Sequence, residues 1–284
     1  MNRRALIIDV AKCINCNNCV LATKDEHVGN DYPGYAAAQP AQGHEWISIQ
    51  QRVRGTGTQL DITYVPTMCN HCDDAPCIRA ARDGSIYKRP DGVVIIDPEK
   101  ARGRKDLLAT CPYGAMAWNA DMQLPQIWIF DAHLLDNGWT EPRCVQACPT
   151  GAMESFCGPD ATLEARRAEE HLTELRPELR TRPRVLYRNL ERTKLAFLSG
   201  SVCCRDAQGR LENVEGAHVE LAIEGDVKRT ATTDIFGDFR LDDMPAIGRP
   251  YVVRIQHASH GQAHANGTLT ASQNLGLIEL MPER

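Results

Sequence analysis

The sequence predicts an α+β protein, with a cysteine-rich N-terminal domain followed by a small all-β domain. Ten of the twelve cysteines lie within the first 157 residues, in short and regular spacings. From about Leu195 onward the pattern changes to short alternating strands broken by turns, which is typical of a β-sandwich. Because 284 residues are enough for two domains, we expect three regions: a cysteine-rich domain over residues 1–158, a helix and partner-binding arm over 159–194, and a β-domain over 195–284.

Apolar runs predict two strands in the first domain, at residues 5–10 and 93–96. Residues 105–109 are typical of a short helix that ends at the next cysteine. Residues 24–66 are predicted to be a loop-rich insertion, with one strand-like stretch at 46–49. The first domain is therefore expected to combine short elements with long connections.

The connecting region begins with a helix signal. Asp160 is a good N-cap for a helix over about 161–175, which Pro177 would stop. Residues 180–192 are rich in Arg and Pro and show no periodicity. We expect them to form an extended arm that lies across another surface.

In the β-domain, alternation predicts strands at residues 217–223 and 251–255. The stretches 224–226 and 234–239 carry the Gly and Asp residues that favour turns between strands. Neither these strands nor their turns contain a run of metal ligands, so the domain is expected to have no redox group.

Composition excludes several classes of function. The net charge of −5 and the mixture of acidic and basic residues do not favour a nucleic-acid surface. No stretch approaches the roughly 18 apolar residues of a membrane span. The apolar run near the N-terminus is too short for a signal peptide and is interrupted by Asp9. We therefore expect a cytoplasmic protein.

Two groups of three cysteines have the spacing of iron–sulfur ligands. The first group is C-x2-C-x2-C, in which one tight loop wraps three corners of a cubic cluster. The second is the related C-x2-C-x4-C. The groups consist of Cys13, Cys16 and Cys19, and of Cys69, Cys72 and Cys77. A 4Fe–4S cluster needs four thiolates, so each group lacks one.

Two Cys-Pro pairs supply the missing ligands. Cys111 and Cys148 each begin the phrase Cys-Pro-x-Gly-Ala-Met, and in bacterial ferredoxins a distant Cys-Pro completes each cluster. Three plus three plus one plus one gives eight cysteines, enough for two clusters. Zinc is the alternative, but zinc sites usually show paired C-x2-C units or Cys/His mixtures, so the pattern favours clusters.

These motifs resemble the iron–sulfur subunits of the dimethyl-sulfoxide-reductase family of molybdoenzymes. Within that family the chain looks most like the small subunits of pyrogallol–phloroglucinol transhydroxylase and of anaerobic resorcinol-type hydroxylases. The stretches that carry the resemblance include Ile8-Asp9-Val10-Ala11-Lys12-Cys13, Ala132-His133-Leu134-Leu135 and Thr233-Asp234-Ile235-Phe236-Gly237. The resemblance implies a ferredoxin-like first domain and a transthyretin- or carboxypeptidase-regulatory-like β-domain. It also implies a large partner subunit that holds molybdopterin guanine dinucleotide.

Departures from the family pattern reduce the number of clusters. Subunits of this family carry up to four clusters, but the positions that would complete a cluster around Cys144 hold Thr23, Trp128 and Asp131. The ligands of a further cluster are also missing, at Ala81 and in the run before Cys111. The resemblance therefore implies two 4Fe–4S clusters where the transhydroxylase-like pattern has three: cluster 1 on Cys13, Cys16, Cys19 and Cys148, and cluster 2 on Cys69, Cys72, Cys77 and Cys111.

An unusual third site is the alternative to this ligand loss. Asp131 and His133, with Cys144 and Cys157, offer side chains that can replace thiolates on iron, although both cysteines are better explained as small buried apolar residues. His71 either tunes cluster 2 by donating to a sulfur or is exposed to solvent.

Three functions fit the sequence. The first is an electron-transfer subunit of a molybdenum enzyme that hydroxylates a polyphenol or transfers hydroxyl to it, with an external electron carrier. The second is a mainly structural subunit of a redox-neutral transhydroxylase, and the third is a free-standing two-cluster ferredoxin. No paired general acid and base or activated nucleophile stands out, so we expect no catalytic residue on this chain and bond chemistry only in the partner.

Overall fold

The computed structural model describes residues 2–57, 59–246 and 248–282. The chain divides into two compact units. The first consists of Met1–Gln51 and Tyr64–Leu190, and the second of Arg52–Thr63 and Glu191–Arg284. In the part of the chain that the structure describes, no helix is long and apolar enough to cross a lipid bilayer.

A three-stranded sheet forms the centre of the first unit, with a strand near the N-terminus in the middle. Strand β1 pairs antiparallel with β8 and parallel with β9. Residues 5–8 of β1 are all fully buried, and they alternate between two hydrophobic clusters. A continuous apolar run is expected for a strand that is covered on both faces. The strands, some of which extend into the second unit, are β1 (Arg3–Asp9), β2 (Ile47–Thr56), β3 (Gln59–Met68), β4 (Ile86–Lys88), β5 (Val94–Ile96), β6 (Ala117–Asn119), β7 (Leu124–Gln126), β8 (Met153–Gly158) and β9 (Val185–Arg188).

Short helices connect these strands. They are α1 (Asn18–His27), α2 (Pro76–Ala80), α3 (Ala132–Asp136), α4 (Arg143–Gln146) and α5 (Asp160–Glu169), with 3₁₀ turns at Lys105–Thr110, Pro177–Leu179 and Leu190–Thr193. The helix predicted over 161–175 is shorter than expected, and Asp160 is not its cap. Pro159 takes the cap position, because the Asp160 carboxylate accepts hydrogen bonds from Arg3 and Arg184 instead.

The prediction of loops over residues 24–66 is wrong for its second half. Strands β2 and β3 form a long hairpin there, which extends past the predicted stretch at 46–49. Gly55 and Gly57 adopt positive φ near its turn, and a side chain at Gly55 would meet the carbonyl oxygen of Gln59 at 2.2 Å. Residues 59–65, which read Gln-Leu-Asp-Ile-Thr-Tyr-Val, carry the alternation and β-branched residues that signal a strand.

The arm predicted over residues 180–192 is also different in the structure. Its middle is strand β9, whose first three residues are buried against β1. Arg184 is only 3% exposed, and Arg188 forms ion pairs with Glu154 and Glu170. Side chains of this segment therefore contact their own unit. The surrounding Arg residues made the four-residue strand difficult to recognise from the sequence.

The second unit contains two four-stranded sheets that share one hydrophobic core. One sheet has the order β11-β10-β14 with β17 also paired to β10, and the other has the order β13-β12-β15-β16. The predicted strands at 217–223 and 251–255 correspond to β12 and β15. The strands are β10 (Leu195–Arg205), β11 (Leu211–Asn213), β12 (His218–Ile223), β13 (Asp226–Thr232), β14 (Asp238–Pro245), β15 (Arg249–His257), β16 (Gly261–Leu269) and β17 (Gln273–Glu279). The assignment to transthyretin-type modules stays a prediction.

The turn before β14 explains one conspicuous motif of this unit. The carboxylate of Asp234 accepts the backbone N–H groups of Phe236 and Asp238, which closes the turn. Gly237 has a φ of 76°, and a Cβ there would lie 2.4 Å from the carbonyl oxygen of Val202. Only glycine fits this position, so the motif at 234–238 is a requirement of the turn.

Candidate iron–sulfur centres

The first thiol group is built on a tight loop that leads into α1. Asn15 and Asn17 adopt left-handed backbone conformations, which curl the loop around its cysteines. Cys148, which follows α4, joins this loop. The pKa of Cys19 is raised to about 12, chiefly by burial and then by the charges of the other three thiols, Cys13, Cys16 and Cys148. These effects place Cys19 within electrostatic range of the other three predicted ligands of cluster 1.

The second thiol group lies on the loop between β3 and α2. Burial raises the pKa of Cys69 well above its ordinary value, and the charges of Cys111, Cys77 and Cys72 add to this effect. The pKa of Cys77 rises to about 11, mainly through burial and then through Cys111 and Cys72. Cys69 therefore lies within electrostatic range of the other three predicted ligands of cluster 2.

The two Cys-Pro phrases form the same turn at both groups. The N–H of Ala115 donates to the sulfur of Cys111 at 3.4 Å, and the N–H of Ala152 donates to the sulfur of Cys148 at 3.2 Å. The glycine before each alanine has a positive φ, which bends the backbone back toward the sulfur. An N–H donor stabilises a thiolate, so each phrase positions a ligand and offsets part of its negative charge.

One residue distinguishes the two turns. The hydroxyl of Thr150 lies 3.7 Å from the sulfur of Cys148. Burial alone would raise the pKa of Cys148, but hydrogen bonds from Thr150 and from nearby backbone N–H groups lower it below its ordinary value. Tyr113 stands at the equivalent position of the other turn, and its hydroxyl bonds to Thr181 at 2.7 Å instead.

The two groups differ in exposure. Cys16 is exposed, and the apolar side chains of Ile14 and Leu21 beside the first group are each 60% exposed. Cys72 of the second group is only 8% exposed. The first group thus reaches the surface of its unit, whereas the second is more enclosed.

His71 lies inside the second loop and is 1% exposed, so the prediction of solvent exposure is wrong. The pKa of His71 is lowered to about 3, chiefly by burial and then by the nearby charges of Lys88 and Arg184. The N–H of Val94 donates to Nδ1 at 3.0 Å. Nδ1 also lies 3.9 Å from the sulfur of Cys69, but as an acceptor it has no proton to donate to that sulfur.

Positive charges surround the second loop, a feature that the sequence did not reveal. Lys88 Nζ donates to the carbonyl oxygens of His71 and Cys72 at 2.7 and 2.8 Å. The carboxylate of Asp73 forms ion pairs with Lys88, Arg3 and Arg184. These side chains come from positions 3, 73, 88 and 184, so no local spacing indicates the arrangement.

Of the four residues proposed for a third site, Asp131 and Cys144 lie within electrostatic range of each other, whereas Cys157 lies on strand β8. Asp131 is fully buried and is bonded to His27 Nε2 at 3.1 Å and to the backbone N–H of Arg143 at 2.8 Å. His133 is bonded to Glu26 at 2.8 Å. Cys144 is fully buried, whereas Cys157 is exposed and lies opposite Arg4 in the sheet. Cys157 is therefore not the buried apolar residue that the sequence predicts, because its side chain faces outward from β8.

A polar and aromatic core fills the place where the resemblance puts a further cluster. Thr23 and Trp128 are 1% and 0% exposed. The hydroxyl of Thr23 donates to the carbonyl of Cys19, which keeps it within its own helix. Trp128 stacks on Phe130 with ring centroids 4.8 Å apart, and its ring centroid also lies 5.5 Å from that of His71. These side chains pack against protein on all sides.

The comparisons with known proteins agree with this geometry. Residues 60–156 match the family model described as a 4Fe-4S dicluster domain. The pyrogallol hydroxytransferase small subunit of Pelobacter acidigallici is 39% identical over 285 residues, which cover 99% of this chain and 100% of that protein. The chain belongs to the iron–sulfur subunits of the dimethyl-sulfoxide-reductase family.

More distant members of this family match a smaller part of the chain. The iron–sulfur subunit of an arsenate respiratory reductase from Shewanella is 33% identical, over 49% of this chain and 55% of that one. A sulfite dehydrogenase subunit from Allochromatium vinosum is 30% identical, over 69% of this chain and 86% of that one. The family resemblance predicted from the cysteine motifs is confirmed, and these relatives are subunits of larger enzymes by name.

Proposed function

We propose that this chain is the electron-transfer subunit of a heteromeric molybdopterin enzyme that acts on a polyphenol, by anaerobic hydroxylation or hydroxyl transfer. The observation that carries the proposal is the pair of four-thiol groups, within a chain that aligns end to end with a pyrogallol hydroxytransferase small subunit. The large partner would hold molybdopterin guanine dinucleotide and perform the bond chemistry.

Each thiol group fits one 4Fe–4S cluster. Cys13, Cys16, Cys19 and Cys148 would hold cluster 1, and Cys69, Cys72, Cys77 and Cys111 would hold cluster 2. When bound, such clusters supply one-electron transfer. The chain's own contribution is to bind them and to donate N–H groups to the sulfurs of Cys111 and Cys148.

The packed core around Asp131 supports two clusters rather than three. A third cluster would have to displace Trp128, which is fully buried, and break the contacts of Asp131 with His27 and Arg143. None of Thr23, Trp128 and Asp131 offers a thiolate that would offset the cost of opening this core.

The exposed first group suggests where the partner docks. Ile14 and Leu21 form an apolar rim beside Cys16, and apolar residues at the centre of an interface favour a stable complex. We infer from this rim that cluster 1 lies nearer the molybdenum subunit, with cluster 2 linked to an external carrier.

The test is to mix the anaerobically purified complex with a phenolic substrate and to follow the clusters by optical and electron paramagnetic resonance spectroscopy. We expect reduction of the clusters within one turnover, and molybdenum in the partner subunit. Clusters that stay silent throughout turnover would overturn the electron-transfer role and favour a mainly structural subunit. A stable chain that copurifies with no large partner would favour a free-standing ferredoxin.

A further inference from the structure

The strongest feature that the proposed function does not use is an excess of positive charge beside the second thiol group. Three cations, Lys88, Arg3 and Arg184, share the single carboxylate of Asp73. The side chains are largely buried, with 19%, 22% and 3% exposure for the cations and 15% for the carboxylate. Three positive charges minus one negative charge leave a net charge of +2.

A second carboxylate, that of Asp160, does not remove the excess of positive charge. Asp160 forms ion pairs with Arg3 and Arg184 from the other side, which reduces the net charge of the five groups to +1. Asp160 is also 46% exposed, so solvent screens part of its effect. Lys88 has no part in that pair and shares only Asp73.

Burying uncompensated charge is costly, so a group of opposite sign is expected close by. The side chain of Lys88 points toward the second thiol loop, because Nζ donates to the backbone carbonyls of His71 and Cys72 within that loop. The backbone N–H of Arg184 donates to the carbonyl of Asn70 at 2.8 Å in the same loop.

The first thiol group has no such arrangement. Among the residues that the structure describes, no ion pair involves any residue of 11–21 or 146–150, which contain the four thiols of that group. The two groups therefore differ in electrostatic environment as well as in exposure.

We propose that Lys88, assisted by Arg184 and Arg3, raises the reduction potential of cluster 2. This inference rests on the proposed two-cluster function. Reduction adds one negative charge to a cluster that is already negative, and nearby buried cations stabilise that added charge. The cations therefore make cluster 2 easier to reduce than burial alone would allow. Lys88 is a tuning residue and binds no iron.

The experiment is a potentiometric titration of the whole complex, followed by electron paramagnetic resonance, with Lys88→Met compared with the unaltered chain. At a fixed potential we expect the ratio of reduced to oxidised cluster 2 to fall about tenfold, which equals about 59 mV for a one-electron couple. Cluster 1 should keep its potential. Lys88→Arg keeps the charge and should restore most of the shift, whereas Lys100→Met removes a charge that is 58% exposed and should change neither cluster.

Asp73→Asn is the second variant, and it should act in the opposite direction. It removes the carboxylate that forms ion pairs with all three cations, so cluster 2 should become easier to reduce. If Lys88→Met loses iron, this variant still decides the question. Cluster potentials that are unchanged, or that shift equally at both sites, would overturn the proposal. Iron is counted before each titration, because an unaltered chain without two clusters would instead refute the proposed function.

Discussion

Asp131 separates the two-cluster account from one in which a third site holds iron. Its side chain is fully buried, with Oδ1 bonded to His27 Nε2 and Oδ2 accepting the backbone N–H of Arg143. Asp131→Ala removes the acceptor for both groups. A buried donor without an acceptor costs about 1–3 kcal/mol, so two of them should lower the free energy of unfolding by about 4 kcal/mol.

The assay is urea unfolding of the anaerobic protein together with an iron count on the same sample. We expect a large loss of stability with about eight iron atoms per chain retained. Asp136→Ala is the matched control, because Asp136 ends the helix whose N-cap position Asp131 occupies, but is 40% exposed. Its pair with Arg89 should contribute at most about 1 kcal/mol.

Asp131→Asn keeps a side-chain oxygen of similar shape, so it should lose much less stability than the alanine variant. The asparagine variant distinguishes the loss of an iron ligand from iron loss that results only from unfolding. If Asp131 were an iron ligand, both substitutions would release about four iron atoms. A loss of iron from the well-folded asparagine variant would refute the argument that a polar core replaces the third cluster.

Two further predictions concern the Cys-Pro ligands Cys111 and Cys148 and the carboxylate of Glu26. Cys148→Ala should remove only cluster 1 and Cys111→Ala only cluster 2, each leaving about four iron atoms per chain; a loss of all iron from both folded variants would contradict the assignment of independent sites. Burial raises the pKa of Glu26, but hydrogen bonds from His133, Tyr32 and Arg143 outweigh it and lower the pKa to about 2. Because this folded pKa lies below the unfolded value of about 4.3, the stabilisation is present above about pH 4.3 and is lost as the pH falls toward about 2. Melting temperatures measured from about pH 5 downward should therefore fall less steeply for Glu26→Gln than for the unaltered chain, and parallel curves would contradict this origin.

The cysteine ligands could be predicted from the sequence because their spacing is a local property. A C-x2-C-x2-C run fixes three thiols on one loop, and each Cys-Pro-x-Gly-Ala phrase encodes a turn whose glycine permits a positive φ. Strand β1 could also be predicted, since an unbroken apolar run is typical of a strand buried on both faces.

Other elements depend on partners that are distant in the sequence. Strand β9 is a strand only because β1 lies beside it, and Arg-rich flanks concealed its apolar residues. The predicted cap at Asp160 failed because Arg3 and Arg184 compete for its carboxylate. The cations around Asp73 come from positions that are far apart in the sequence, so no motif indicates them.

The measurement that tests the central claim most directly is iron and acid-labile sulfide per chain on the anaerobically purified complex, with zinc and molybdenum counted in the same sample. The two-cluster account predicts about eight iron and eight sulfide per chain, with molybdenum assigned to the partner subunit. About twelve iron atoms would show that the core around Asp131 and Cys144 opens to hold a third cluster. Zinc in place of iron would contradict the electron-transfer function itself.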